Sequence, residues 1–131
     1  MNYIEEIRTR LAKYPHISYT EKDNEITISG TPESGFDITV CVDDSEITVY
    51  FEGWHEHFEL AQFDQALSCI RSGLTDACRI RVESKGNRPY KWTLEYNDQD
   101  WEDDTTTGLL FFPFWKKTST RYLQNNLIQN G

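Results

Sequence analysis

An α+β fold, a two-layer sandwich of a mostly antiparallel sheet with helices on one face, is what this sequence predicts. Two apolar periodicities predict it. Residues 2–14 and 60–74 repeat apolar side chains every three to four positions, whereas residues 17–28, 36–51 and 78–96 repeat them at every second one. Short turns join the period-two segments, so neighbours run antiparallel, because a parallel crossover needs a long connection. The predicted order is α-β-β-β-β-α-β-β-β-α.

In the first helix, Ile4, Ile7, Leu11 and Tyr14 share one side, Glu5 and Glu6 favour the positive end of the helix dipole, Lys13 favours the negative end, and Pro15 stops the chain. From His16 the period becomes two. Ile17 and Tyr19, then Ile26 and Ile28 beyond the turn residues Asp23 and Asn24, make a hairpin. The loop 30–35 leads to a third strand with Phe36, Ile38, Val40 and Val42 on one face, and the turn 43–45 leads to a fourth with Ile47, Val49 and Phe51. Leu60, Phe63, Leu67, Ile70 and Leu74 mark a second helix that covers the meander, with Gly73 as its C-cap. Cys78, Ile80 and Val82, then Trp92, Leu94 and Tyr96, form a second hairpin across residues 85–89. Residues 97–107 carry Asp98, Asp100, Glu102, Asp103 and Asp104 around Trp101 and predict a solvated acidic loop. The apolar run 109–115 predicts a last strand, at an edge or bulge because of Pro113, and Tyr122, Leu123 and Leu127 predict a short helix over 120–129.

The 131 residues fit one domain, 1–131, with a core that leans on rings, since 14% of the chain is aromatic. A net charge of -9 repels phosphate backbones, so nucleic acid is not an expected partner. No apolar run approaches the roughly 20 residues of a membrane-spanning helix, and MNYIEEIRTR has no signal-peptide core, so a cytoplasmic protein is expected. Cys41, Cys69 and Cys78 lack metal-ligand spacing and read as small reduced core residues.

The most chemically dense stretch joins the fourth strand to the second helix and gives a candidate polar site at Trp54, His55, Glu56 and His57. His55 and His57 point the same way if the strand continues, but the zincin spacing H-E-x-x-H is absent, so no metal is expected. Read as structure alone, the stretch is a polar strand-to-helix connection. The glycines are scattered rather than clustered into a phosphate-binding loop, no serine lies in G-x-S-x-G or S-x-x-K, and the acidic loop lacks EF-hand spacing. Neither a cofactor nor an enzymatic activity is therefore expected. Phe111, Phe112, Phe114 and Trp115, beside Lys116 and Lys117, form a candidate interaction surface, because interface centres favour aromatic groups.

The expected function is a non-enzymatic protein-interaction module or a homodimer, with a protein partner or self-association as the contact. In its order of helix, strand meander, helix and hairpin the chain resembles the secretion-chaperone type of binding protein, which implies a chaperone-like role. One alternative is a small-molecule or lipid-binding domain, with a cavity between sheet and helix lined by Tyr19, Phe36, Phe51, Trp92 and Tyr96. A second is a metal- or His-dependent enzyme using His55 and His57.

Overall fold

Alternation and helical spacing translate directly into most of the elements. The computed structural model describes residues 2–98, 100–109 and 115–129. Helix α1 (Tyr3–Leu11) begins at Asn2, whose side chain accepts from the Glu5 N–H at 3.0 Å, and buries Ile4, Ile7 and Leu11. Strands β1 (Tyr19–Lys22), β2 (Glu25–Ile28), β3 (Ile38–Val42), β4 (Glu46–Phe51) and β5 (Trp54–Glu59) follow. A 3₁₀ turn (Leu60–Gln62) runs into helix α2 (Phe63–Leu74), and β6 (Cys78–Lys85), β7 (Arg88–Asp98), β8 (Asp100–Gly108) and β9 (Thr118–Leu123) complete the order.

The strands form two antiparallel sheets, one in the order β1-β2-β3-β4-β5 and one in the order β8-β7-β6-β9. In the first, Ile26, Ile28, Ile38, Val40, Ile47, Val49, Phe51 and Trp54 are buried on one face, and α2 approaches so closely that a Cβ on Gly73 would lie 2.5 Å from the Phe51 ring. Phe36, Phe51 and Trp54 stack in succession, with centroids 5.0 and 4.9 Å apart. The two sheets meet along β5 and β8. There Trp54 Nε1 donates to Thr105 Oγ1 at 2.8 Å and the His55 N–H donates to Thr107 Oγ1 at 3.4 Å. Buried residues of both helices and both sheets belong to one core cluster.

After β9 the chain forms no further helix or strand among the described residues. It straps back across the molecule instead. The Leu74 carbonyl accepts from the N–H groups of Leu127 and Ile128, and Gln124 N–H donates to the Ser34 carbonyl. At the centre lies Asn125, fully buried. Its Oδ1 accepts from Thr31 N–H at 2.9 Å and Phe36 N–H at 3.1 Å, and its Nδ2 donates to the carbonyls of Phe36 and Gly73, both at 2.9 Å.

Several expectations are corrected here. Residues 54–59 are not a connection but β5, which lengthens the meander to five strands. The acidic loop over 97–107 is the end of β7 followed by β8: Asp103 faces Arg81, and the β-branched Thr105, Thr106 and Thr107 favour extended chain. The helix expected over 120–129 is replaced by β9 and the strap, because Leu123 falls opposite Ile80 and continues the inner face of β6. The described chain thus has two α-helices where the sequence suggests three. Gly73 lies inside α2 rather than capping it, and Cys41 is half-buried rather than a core residue like Cys69 and Cys78. The strand expected over 109–115 falls largely on residues 110–114, outside the described residues.

Replacing Asn125 by Ala takes the partner from two N–H groups and two carbonyls, all buried but the half-buried Thr31 N–H. The expected cost is about 2–5 kcal/mol in chemical denaturation. A loss under about 0.5 kcal/mol would mean that water replaces the amide.

Candidate functional site

The outer face of the second sheet is built from charge rather than from apolar side chains. Glu95, on β7, is almost fully buried between Arg79 and Arg81, receiving a hydrogen bond from Arg79 Nε at 2.7 Å and another from Arg81. The Arg79 guanidinium lies between the rings of Trp101 and Tyr122, 4.1 and 4.0 Å from their centroids. Arg81 also holds both oxygens of Asp103 at 3.1 Å, and the hydrogen bonds from Arg81 lower the Asp103 carboxyl below its ordinary range. This network reaches across all four strands and fixes the outer edge, β9.

Among the described residues, β9 is laddered only on the side facing β6. The Gly86 N–H donates to the Lys117 carbonyl at 2.9 Å, which makes residues 86 and 117 a hydrogen-bonded pair. By antiparallel alternation the backbone groups of Ser119, Arg121 and Leu123 then face β6, and those of Thr118, Thr120 and Tyr122 face away from it. Among the described residues, the large apolar side chains standing most exposed are Trp115 at 71%, Tyr122 at 49% and Leu109 at 41%. Trp115 precedes this edge in sequence, Tyr122 lies within it, and Lys116, Lys117 and Arg121 give it a positive charge. Phe111, Phe112 and Phe114 lie outside the described residues.

The stretch 54–57 is divided by the alternation of β5. Trp54 is buried in the core, and Glu56 follows it on the inner face. His55 and His57 stand on the opposite face, their rings edge to face at 5.2 Å. His57 Nδ1 lies 2.9 Å from Thr48 Oγ1 and 3.2 Å from a Glu46 carboxylate oxygen, and the His55 ring packs against Tyr50 at 5.5 Å. Among the described residues no group of three or more His, Cys, Asp or Glu side chains is placed to hold a metal.

Glu56 opens onto a cleft of about 350 Å³ between β5, α2 and β7, bordered by Phe58, Ser68, Cys69, Ser72 and Tyr96. Burial, with a smaller contribution from Asp104, raises the Glu56 carboxyl. Burial also pushes the Cys69 thiol and the Tyr96 phenol far up, and the Cys78 thiol to about 12, so these groups are protonated at neutral pH and are poor nucleophiles. Of the residues expected to line a cavity, Tyr19, Phe36, Phe51, Trp92 and Tyr96, three are tightly packed. Phe36 and Phe51 pack against each other, and a Cβ on Gly53 would meet the Trp92 ring at 2.2 Å. Tyr96 borders the cleft at Glu56.

Beside His57, the turn before β4 depends on Asp43, whose Oδ1 accepts from Ser45 N–H at 2.7 Å, Ser45 Oγ at 2.9 Å and Glu46 N–H at 2.8 Å. Chiefly through the Ser45 N–H, these bonds lower its carboxyl below the ordinary range. A carboxyl depressed in the native state adds stability above its unfolded-state pKa and loses it as pH falls through the native value. Asp43→Asn is therefore expected to lower the unfolding midpoint at neutral pH, with the gap from the parent closing on acidification. A gap independent of pH would remove the charge from the explanation. No family model, no curated protein and no solved structure matches the chain.

Proposed function

We propose that the chain is a single two-layer α+β domain, its helices on one face, that works in the cytoplasm as a protein-interaction module rather than as an enzyme. The contact runs along β9, and the occupant is a second copy of the chain. The observation that carries this reading is the edge itself: a six-residue strand with, among the described residues, one unladdered side, carrying the exposed ring of Tyr122 and preceded by that of Trp115. Such an edge is a template for strand addition.

Two copies of β9 fit one another about a two-fold axis. Pairing centred on Thr120 sets Ser119 opposite Arg121 and Thr118 opposite Tyr122, so no two cations face each other directly. The salt-bridged outer face of the second sheet would continue unbroken across the joint, making one eight-stranded sheet from two sheets of four. The Arg79 sandwich supports the reading further, since it fixes the Tyr122 ring before any partner arrives and so lowers the cost of ordering it.

Light scattering over a tenfold concentration range is expected to give a dimer that Thr120→Pro dissociates. The Thr120 N–H faces away from β6, so proline there removes no ladder bond and blocks only the outer edge. Trp115→Ala is expected to weaken the dimer while leaving the unfolding midpoint of the monomer within a few degrees of the parent. A parent that is monomeric throughout the range, or a Thr120→Pro variant that remains dimeric, would refute strand pairing at β9.

A further inference from the structure

A second concave surface, away from β9, lies between the two helices. Its floor is apolar, formed by Ile7 and Leu11 of α1, Leu67 and Leu74 of α2, and Ile128 of the C-terminal strap. Where both helices begin, the Tyr3 ring packs edge-on against Phe63 at 4.8 Å. Toward their ends the border turns cationic: Arg10 stands in the last turn of α1, Lys13 just beyond it, and Arg71 in the last turn of α2. Asp64 lies in the first turn of α2, roughly 10 Å along the axis from Arg71.

Three cations around one apolar hollow stand out in a chain with 22 acidic and 13 basic residues. Arg10 is paired with Glu6 at 3.0 Å, but among the described residues neither Lys13 nor Arg71 has an ion-pair partner. The end of α1 does not need them, since the Arg8, Arg10 and Leu11 carbonyls already accept from the N–H groups of Ala12, Lys13 and Tyr14. An apolar floor with unpaired positive charge at one end matches a molecule with an apolar body and an anionic head.

Size decides between kinds of occupant. The hollow measures about 370 Å³, at the lower end of the range of ligand pockets, about 300–1,000 Å³. One turn of a partner helix, about 10–12 Å across and 5.4 Å long, occupies on the order of 500 Å³, so the hollow holds less than one turn and suits a slimmer chain. A single acyl chain fits, whereas a two-chain lipid does not. The guanidinium fork of Arg71 favours a planar carboxylate.

We infer that the groove between α1 and α2 binds a free single-chain carboxylic acid, its chain along Ile7, Leu11, Leu67 and Leu74 and its head at Arg71, Lys13 and Arg10. Binding would not depend on the β9 edge.

The test is calorimetric titration of the parent protein with dodecanoate below its micellar concentration, with dodecan-1-ol and dodecyltrimethylammonium as chain-matched controls. One molecule of dodecanoate is expected to bind per chain and to raise the unfolding midpoint. Both controls should bind about tenfold more weakly or less. Combined Arg71→Gln and Lys13→Gln substitutions should weaken dodecanoate binding about tenfold, roughly one lost charge-assisted bond, and leave the midpoint of the ligand-free protein unchanged, because both side chains are exposed. Leu67→Glu should abolish binding, and Thr120→Pro should bind like the parent, which separates this site from the β9 contact. The inference is overturned by absence of binding to the parent, by equal affinity for the alcohol, by unchanged affinity in the charge variant, or by binding of several molecules with a falling midpoint.

Discussion

The Asn125 amide is the constraint on which the rest of the structure depends. The loop 30–35 and the end of α2 bring backbone N–H and C=O groups together where no ladder can satisfy them, and buried polar groups left unpaired are costly. A planar amide presents an acceptor oxygen and a donor nitrogen side by side in one plane, so a single side chain serves Thr31, Phe36 and Gly73 together. The space for it is made by Gly35, where a Cβ would lie 2.2 Å from Oδ1. Fixing Asn125 fixes what flanks it. On one side β9 is held in register with β6, and on the other Ile128 is carried to the hollow between the helices.

Periodicity made α1, β1 to β4, α2 and the β6–β7 hairpin legible in the sequence, because each buries one face and exposes the other. The elements that escaped do not. In β5 the inner positions hold Trp54, Glu56 and Phe58 and the outer ones two histidines, so polarity does not alternate although direction does. Direction alone was enough to place His55 and His57 on one face. The charges of β8 are neutralised across strands by Arg81, a pairing that exists only after β6, β7 and β8 are side by side. Likewise Tyr122, Leu123 and Leu127 have helical spacing, and only the register opposite Ile80 selects a strand. Asn125 carried no signal at all, since its four partners lie 52 to 94 residues away.

The second sheet has a polar outer face held as firmly as an apolar one. Glu95 is nearly inaccessible and yet charged groups surround it, an arrangement that is stable only while both arginines stay in place. Arg79 does so by stacking between two rings, Arg81 by reaching three carboxylates. The aromatic residues of this face are thus spacers for guanidinium groups as much as contact surface.

Among the described residues, the seam between the sheets differs from the other strand junctions. Within each sheet the backbone sets the spacing, whatever the side chains are. Between β5 and β8, among the described residues, the hydroxyls of Thr105 and Thr107 and the packing of Trp92 over Gly53 set it instead. The angle between the sheets therefore depends in part on a few side chains, and substitution at Thr105, Thr107 or Gly53 would act on it while leaving both ladders as they are.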